Sequence, residues 1–306
     1  MQKFFLPFLL ITVCYSASLA QTPNDGLMMA ERNWCSMLQY SHSSWSEYWE
    51  GPNRRINENI GSITTQSVMF MTNYGISDRL NVMAGLPYIW TDSDISYLNG
   101  QKGIQDLSVW VKYQPYEHYF NSSVFRVQVT GGLSTPISNY VPDFLPFSIG
   151  FQSKTASLRG ILHYKLDKGF YATAQAGHTW RSNTKSDRDA YLYHNELIYS
   201  NDVPVPNMVD ATGRLGFVND HVQAEVFYDY FTGLTGDDIR YNDAPFLTNK
   251  MQATSVGVFA KYHFGKLAIQ ASASQVFQGR NVGRGTTYSG AILYFFEIPK
   301  KNKTDN

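Results

Sequence analysis

Twelve ionisable side chains fall at alternate positions of otherwise apolar stretches: Asp106, Lys112, Arg126, Arg159, His163, Lys165, Asp210, Arg214, Glu225, Asp229, Lys261 and His263. Groups of both signs turned toward one shared interior can do two things. They can pair into a salt-bridge network that fills the interior, or they can form a charged track along which a solute moves. A narrow, mixed-sign interior is commonly paired, which favours the first reading without closing the second. Arg214 and Glu225 flank one short turn and are placed to pair across it.

Other groupings carry less. His42-Ser43-Ser44 is the one local His/Ser grouping of note, and no surrounding motif supports a lipid hydrolase of the outer-membrane type, so no catalysis is expected. Asp237, Asp238 and Asp243 offer oxygen ligands, but their spacing fits no cation loop. They read as solvated carboxylates. No metal site, nucleotide-phosphate loop, plug of the TonB type or other sign of a cofactor is expected. Tyr140, Phe144 and Phe147 lie in a proline-broken loop and supply either an apolar entry site or a collapsed cap.

These residues must be positioned by strands. The stretch 286–296 alternates Tyr288, Gly290, Ile292, Tyr294 and Phe296 with Thr287, Ser289, Ala291, Leu293 and Phe295, a period of two with unlike faces. Similar stretches occur near 34–42, 60–73, 80–91, 106–113, 125–133, 156–166, 170–176, 209–217, 222–230, 255–264 and 267–274. Pro87 predicts a bend near the end of the third, and 75–78 a tight turn after the second. YLYHNELIY, inside the polar stretch 181–207, predicts a strand in a tall hairpin.

Long and short connections alternate nearly throughout, although 280–284 is shorter than the pattern wants. From the fourth strand to the eleventh, charges stay off the apolar face. A charge there at mid-bilayer would cost about 2–4 kcal/mol. The expected fold is an all-β, antiparallel, up-and-down transmembrane barrel of about twelve strands with both termini periplasmic. An aromatic-ended last strand must pair with the first, since lipid tolerates no open edge, and it resembles the strand read by the barrel-assembly machinery.

Composition agrees. Charged residues are 16%, against about 25% in soluble proteins, and aromatics reach 15% with 21 tyrosines. A soluble β-sandwich fits less well. Net charge is zero, so no nucleic-acid partner is expected. Lys3, the apolar run 4–13 and Ser18-Leu19-Ala20 form a signal peptide cut after Ala20. Thr12-Val13 before Cys14 lacks the small residues of a lipoprotein signal. Cys35 is then the only mature cysteine, which excludes a disulfide within one chain. The chain divides into a signal peptide (1–20), a short periplasmic leader (21–33), a barrel (34–296) and a polar tail (297–306).

Residues 74–80 (YGISDRL), Leu86-Pro87-Tyr88, 103–107 (GIQDL), Lys112-Tyr113 and Thr135-Pro136 together resemble a family of outer-membrane transporters named for the meta-pathway of phenol degradation. NYVPDFLPFSIG and TWRSNT resemble its Bacteroidetes-type branch. The resemblance extends over about 33–296. It implies a barrel in the Gram-negative outer membrane, in contact with its lipids, that passes small, often aromatic or hydrophobic molecules. The alternative is a structural barrel with a salt-bridged, plugged lumen.

Overall fold

A computed structural model describes residues 22–58, 60–95, 99–241 and 243–298. The expected signal peptide lies outside the described residues, as does the tail beyond Ile298. Twelve long strands make one closed antiparallel barrel. They are β1 Asn33–Trp45, β2 Ile63–Ser77, β3 Leu80–Ser93, β4 Asp106–Phe120, β5 Ser123–Pro136 and β6 Thr155–Leu166. The second half comprises β7 Phe170–Arg181, β8 Met208–Val218, β9 Val222–Gly233, β10 Gln252–Phe264, β11 Leu267–Arg280 and β12 Thr286–Glu297. Each pairs with its neighbours in sequence, and β1 closes the ring on β12 from Asn33↔Glu297 to Ser44↔Thr286. Closure leaves no unpaired edge, as a hydrocarbon surrounding demands.

The alternation sorts side chains as anticipated. Leu38, Val111, Leu162, Leu215, Val258 and Ile292 are exposed on the outer wall. Aromatics gather at both ends of this apolar band. Trp34–Tyr74, Tyr262–Phe264 and Tyr294–Phe296 contacts lie at the short-turn end, and Tyr40–Trp90 and Tyr228–Phe277 toward the long-loop end. Two aromatic belts around an apolar band mark where a bilayer would meet the wall.

Several boundaries differ from expectation for local reasons. β2 runs through the predicted turn to Ser77, with a bulge between Gly75 and Ser77, so Asp78-Arg79 makes the turn. β4 runs on to Phe120 past a bulge between Tyr113 and Tyr116, which accommodates Pro115. The bulge reverses the in–out parity, so the alternating pattern breaks at Tyr113 although the strand continues. Pro87 falls where β3 exchanges partners, from Ser108 of β4 to the short strand Lys102–Ile104. YLYHNELIY is a small hairpin of its own, Tyr191–Tyr193 with Glu196–Ile198, rather than part of a tall one.

The leader does not hang below the barrel. From Arg32, whose amide donates to Gly75 O (2.8 Å), it turns inward and runs up the lumen to Thr22. Asn81 grips both backbone groups of Met29, its Oδ1 accepting at 3.0 Å and its Nδ2 donating at 2.9 Å. Gln128 Nε2 donates to Gly26 O (3.0 Å) and Thr130 Oγ1 to Pro23 O (3.2 Å). Gly26 passes so close to His163 that a Cβ would sit 2.1 Å from its Nδ1. Only glycine fits that crossing.

Candidate functional site

Strands β4 to β10 turn polar side chains inward because each alternates an apolar outer residue with a polar inner one. Within this polar wall most of the predicted charges find partners. Arg214 Nη1 meets Glu225 Oε1 at 2.6 Å, the pairing anticipated across the β8–β9 turn. Tyr171 OH donates to the other oxygen of Glu225 (2.5 Å) and accepts from Gln223 Nε2 (3.2 Å). Arg159 and Asp210 meet at 2.5 Å from two strands apart. Gly177 of β7 lies opposite both and leaves them room. His163 Nδ1 shares a 2.8 Å hydrogen bond with Thr173 Oγ1. The buried His263 ring packs on Phe295, and Lys261 is buried two positions away. Lys165 and Asp229 are half-buried on the same wall.

Two pairs use residues outside the predicted set. Lys112, only 1% exposed, is caged by the leader: Nζ donates to Asp25 Oδ1 (2.9 Å), Asp25 O (2.5 Å) and Leu27 O (2.8 Å). Arg126 Nε meets Glu117 Oε1 at 3.0 Å, below the β4 bulge. Asp25 carried no periodic signal, and Glu117 was hidden by the parity reversal. Placing a lysine so deep would be costly without a carboxylate and carbonyls to replace its water.

The opposite wall is different. Cys35 and Met37 of β1, Met69 and Met71 of β2, Ala268 of β11, and Ala291 and Leu293 of β12 form an apolar inner surface, joined by Leu27 and Met29 of the leader. Met37 lies directly across from Met71. Trp110 of β4 packs at the edge of this surface, where the two walls meet. Neither the thioethers nor Trp110 stood out in the sequence, because an apolar residue on the inner face of β1 or β2 looks like any other apolar strand residue.

At the long-loop end, Tyr140 and Phe147 are buried and Phe144 is half-buried, its ring 5.6 Å from Phe147. Thr91 Oγ1 donates to Phe147 O (2.7 Å), and Tyr140 OH donates to Asp106 Oδ1 (2.7 Å). Burial, and then that hydrogen bond, pushes the Tyr140 phenol well above its ordinary range, so it stays a donor. Asp143 accepts from Ser186 Oγ (2.6 Å), and Tyr191, Val203 and Leu247 pack with Leu145, Phe151 and Phe246. The loop is a collapsed cap knitted to its neighbours. The loop carboxylates are drawn apart into separate pairs: Asp237 with His194 (3.0 Å), and Asp238 with Arg280 Nε (2.6 Å) and Asn281 Nδ2 (2.9 Å). His42 and Ser43, adjacent on β1, point to opposite sides of the wall; Ser43 Oγ accepts from Thr287 Oγ1 (3.0 Å) on the inner face.

The family model described as "Putative MetA-pathway of phenol degradation" matches residues 54–291. Among solved structures, the COG4313 outer membrane channel from Pseudomonas putida F1 has the same fold. It aligns with a TM-score of 0.71 and 16% identity over 90% of this chain and 100% of that one. The NanC porin aligns at 0.44 with 10% identity, over 84% of this chain and 98% of that one. A TodX monoaromatic hydrocarbon channel mutant also aligns at 0.44, with 8% identity, over 88% of this chain and 91% of that one. No curated protein matches.

Proposed function

The chain belongs to the family of the MetA-pathway of phenol degradation, and from that premise we propose that it is an outer-membrane channel for passive uptake of small apolar or aromatic molecules. In this reading the long loops face outward, the short turns, the start of β1 and the end of β12 face the periplasm, and the signal peptide is removed after Ala20. The closing strand β12, with its aromatic end, is the segment offered to the barrel-assembly machinery.

The observation that carries the reading is the methionine-rich inner wall. A barrel held by lipid needs apolar residues outside, and nothing about insertion calls for them inside. Unbranched, polarisable thioethers make an adaptable apolar surface that re-forms around differently shaped guests. Leu27 and Met29 of the leader cover this wall; with the leader displaced, it lowers the cost of bringing an apolar solute through an otherwise polar lumen. A second reading, a structural barrel with no flux, is favoured by the leader that fills the lower lumen.

Uptake separates the two readings. Cells lacking the gene, carrying it, or carrying its Lys112→Met variant, which breaks the contacts between Lys112 and the leader, are given labelled toluene and a labelled sugar. Gene-dependent toluene uptake, increased by K112M, supports transport. Equal uptake in all strains would leave the structural reading.

A further inference from the structure

Above the leader tip the lumen opens into a cavity of about 220 Å³, bounded below by Pro23 and Asn24 and on the side by β4 to β7. This is small beside ordinary ligand pockets of about 300–1,000 Å³, so it admits one ring rather than a chain or a fused system. Six hydroxyls line it: Ser108, Thr130, Ser134, Thr155, Ser157 and Thr179. Trp110, Leu133 and Arg159 complete it.

Trp110 is held as a platform. The pyrrole end of its indole lies over Gly132, where a Cβ would sit 2.4 Å from Cδ1, and the benzene end over Gly85, where a Cβ would sit 3.2 Å from Cζ3. Glycines on both flanking strands leave the ring room against the wall, where it borders both the cavity and the Met-rich cluster. Arg159 is already paired with Asp210 at 2.5 Å, so the two groups together carry no net charge. An anion would gain little there and would have to compete with Asp210 for the guanidinium. The hydroxyls are partly engaged among themselves and with the backbone, as in Ser134–Thr155 (2.7 Å) and Thr130 to Pro23 O (3.2 Å). Each hydroxyl keeps acceptor capacity for a further donor.

We infer that this cavity is a solute subsite for a neutral, flat, single-ring molecule bearing a hydroxyl group, stacked on Trp110 with its hydroxyl among the serines and threonines. The inference rests on the channel reading and narrows its solute class. Ring stacking favours aromatics of any kind. A hydroxyl-lined wall penalises a bare hydrocarbon, because buried polar groups are left facing a partner that cannot bond them. Trp110 borders both this cavity and the Met-rich wall that Leu27 and Met29 of the leader cover.

The test is equilibrium binding to the purified full-length barrel in detergent, measured by titration calorimetry with phenol, toluene, benzoate and cyclohexanol. Phenol is expected to bind at one saturable site, at least tenfold tighter than toluene, benzoate or cyclohexanol. Trp110→Ala should weaken phenol binding by tenfold or more, whereas Trp110→Phe, which keeps a flat ring, should retain most of it. Thr130→Val combined with Ser157→Ala should bring phenol down toward toluene without changing the heat-modifiable gel shift of the folded barrel. Toluene binding as tightly as phenol would overturn the hydroxyl assignment, tighter benzoate would overturn the neutral one, and cyclohexanol matching phenol would overturn the flat ring. Unchanged phenol affinity in W110A, or no saturable phenol binding, would remove the site. Binding without gene-dependent uptake would count against the channel while leaving the subsite standing.

Discussion

The two walls of the lumen solve the problem of a barrel interior in opposite ways. From β4 to β10 the inner face is mainly polar, and its charged members depend on particular partners: Arg214 on Glu225, Arg159 on Asp210, Lys112 on Asp25. From β11 through β12 to β2 the lower inner face is mainly thioether, alanine and leucine, and the polar residues above it, such as Gln39, Gln270, Ser272 and Thr287, are uncharged. Buried charges tolerate no misplacement, since a stranded partner keeps its full desolvation penalty. Methionines tolerate a good deal of it. The polar wall is therefore the rigid side and the methionine wall the compliant one. The leader matches both, turning Asp25 and Gly26 to the first and Leu27 and Met29 to the second.

The sharpest way to break this contrast is at Lys112. Replacing it with alanine removes the cationic partner of the Asp25 carboxylate and the donor to the Asp25 and Leu27 carbonyls, so we expect a loss of about 3–5 kcal/mol, as for other broken buried pairs, read as a lower thermal midpoint in detergent. The same variant should free the leader and raise single-channel conductance severalfold. An unchanged midpoint and conductance would mean that the cage holds nothing.

The next effect is smaller and concerns the pair alone. Arg214→Met and Glu225→Gln should each destabilise the barrel, and the double variant should lose less than the sum, with a coupling of about 1–3 kcal/mol. Simple additivity in that cycle would show that the polar wall is not organised by pairing.

On the compliant side, Met37→Leu or Met71→Leu should cost less than about 1.5 kcal/mol, because volume is conserved and no partner is lost. A loss as large as that at Lys112 would abolish the distinction between the walls.

The smallest effect lies outside the band, where Asp238 ties its loop to the end of β11. Burial acts to raise its pKa, but the hydrogen bonds from Arg280 and Asn281 outweigh it and hold the carboxyl below its ordinary value. Its stabilising contribution is thus present above about pH 4 and disappears as pH falls through the lower folded-state value. Limited proteolysis of the loop should rise only in that acid range, and Asp238→Asn should remove the dependence.

Much of the wall was already present in the one-dimensional pattern. A strand exposes successive residues to opposite sides, so lipid outside and a polar interior impose a period of two that survives in any single stretch, as in Leu158 to Leu166. Loop length marked the two ends of the barrel, and the β8–β9 turn was short enough to place Arg214 against Glu225 by inspection. What local pattern cannot carry is contact between segments far apart in the chain. Asp25 meets Lys112 across 87 positions, and Met29 meets Asn81 across 52. The leader has no alternation because it pairs with no strand, and its place in the lumen follows only once twelve strands have closed around it. The Trp110 platform likewise needs Gly85 and Gly132, which become its neighbours through strand register. Alternation says which way a side chain points; only the closed barrel decides what it meets there.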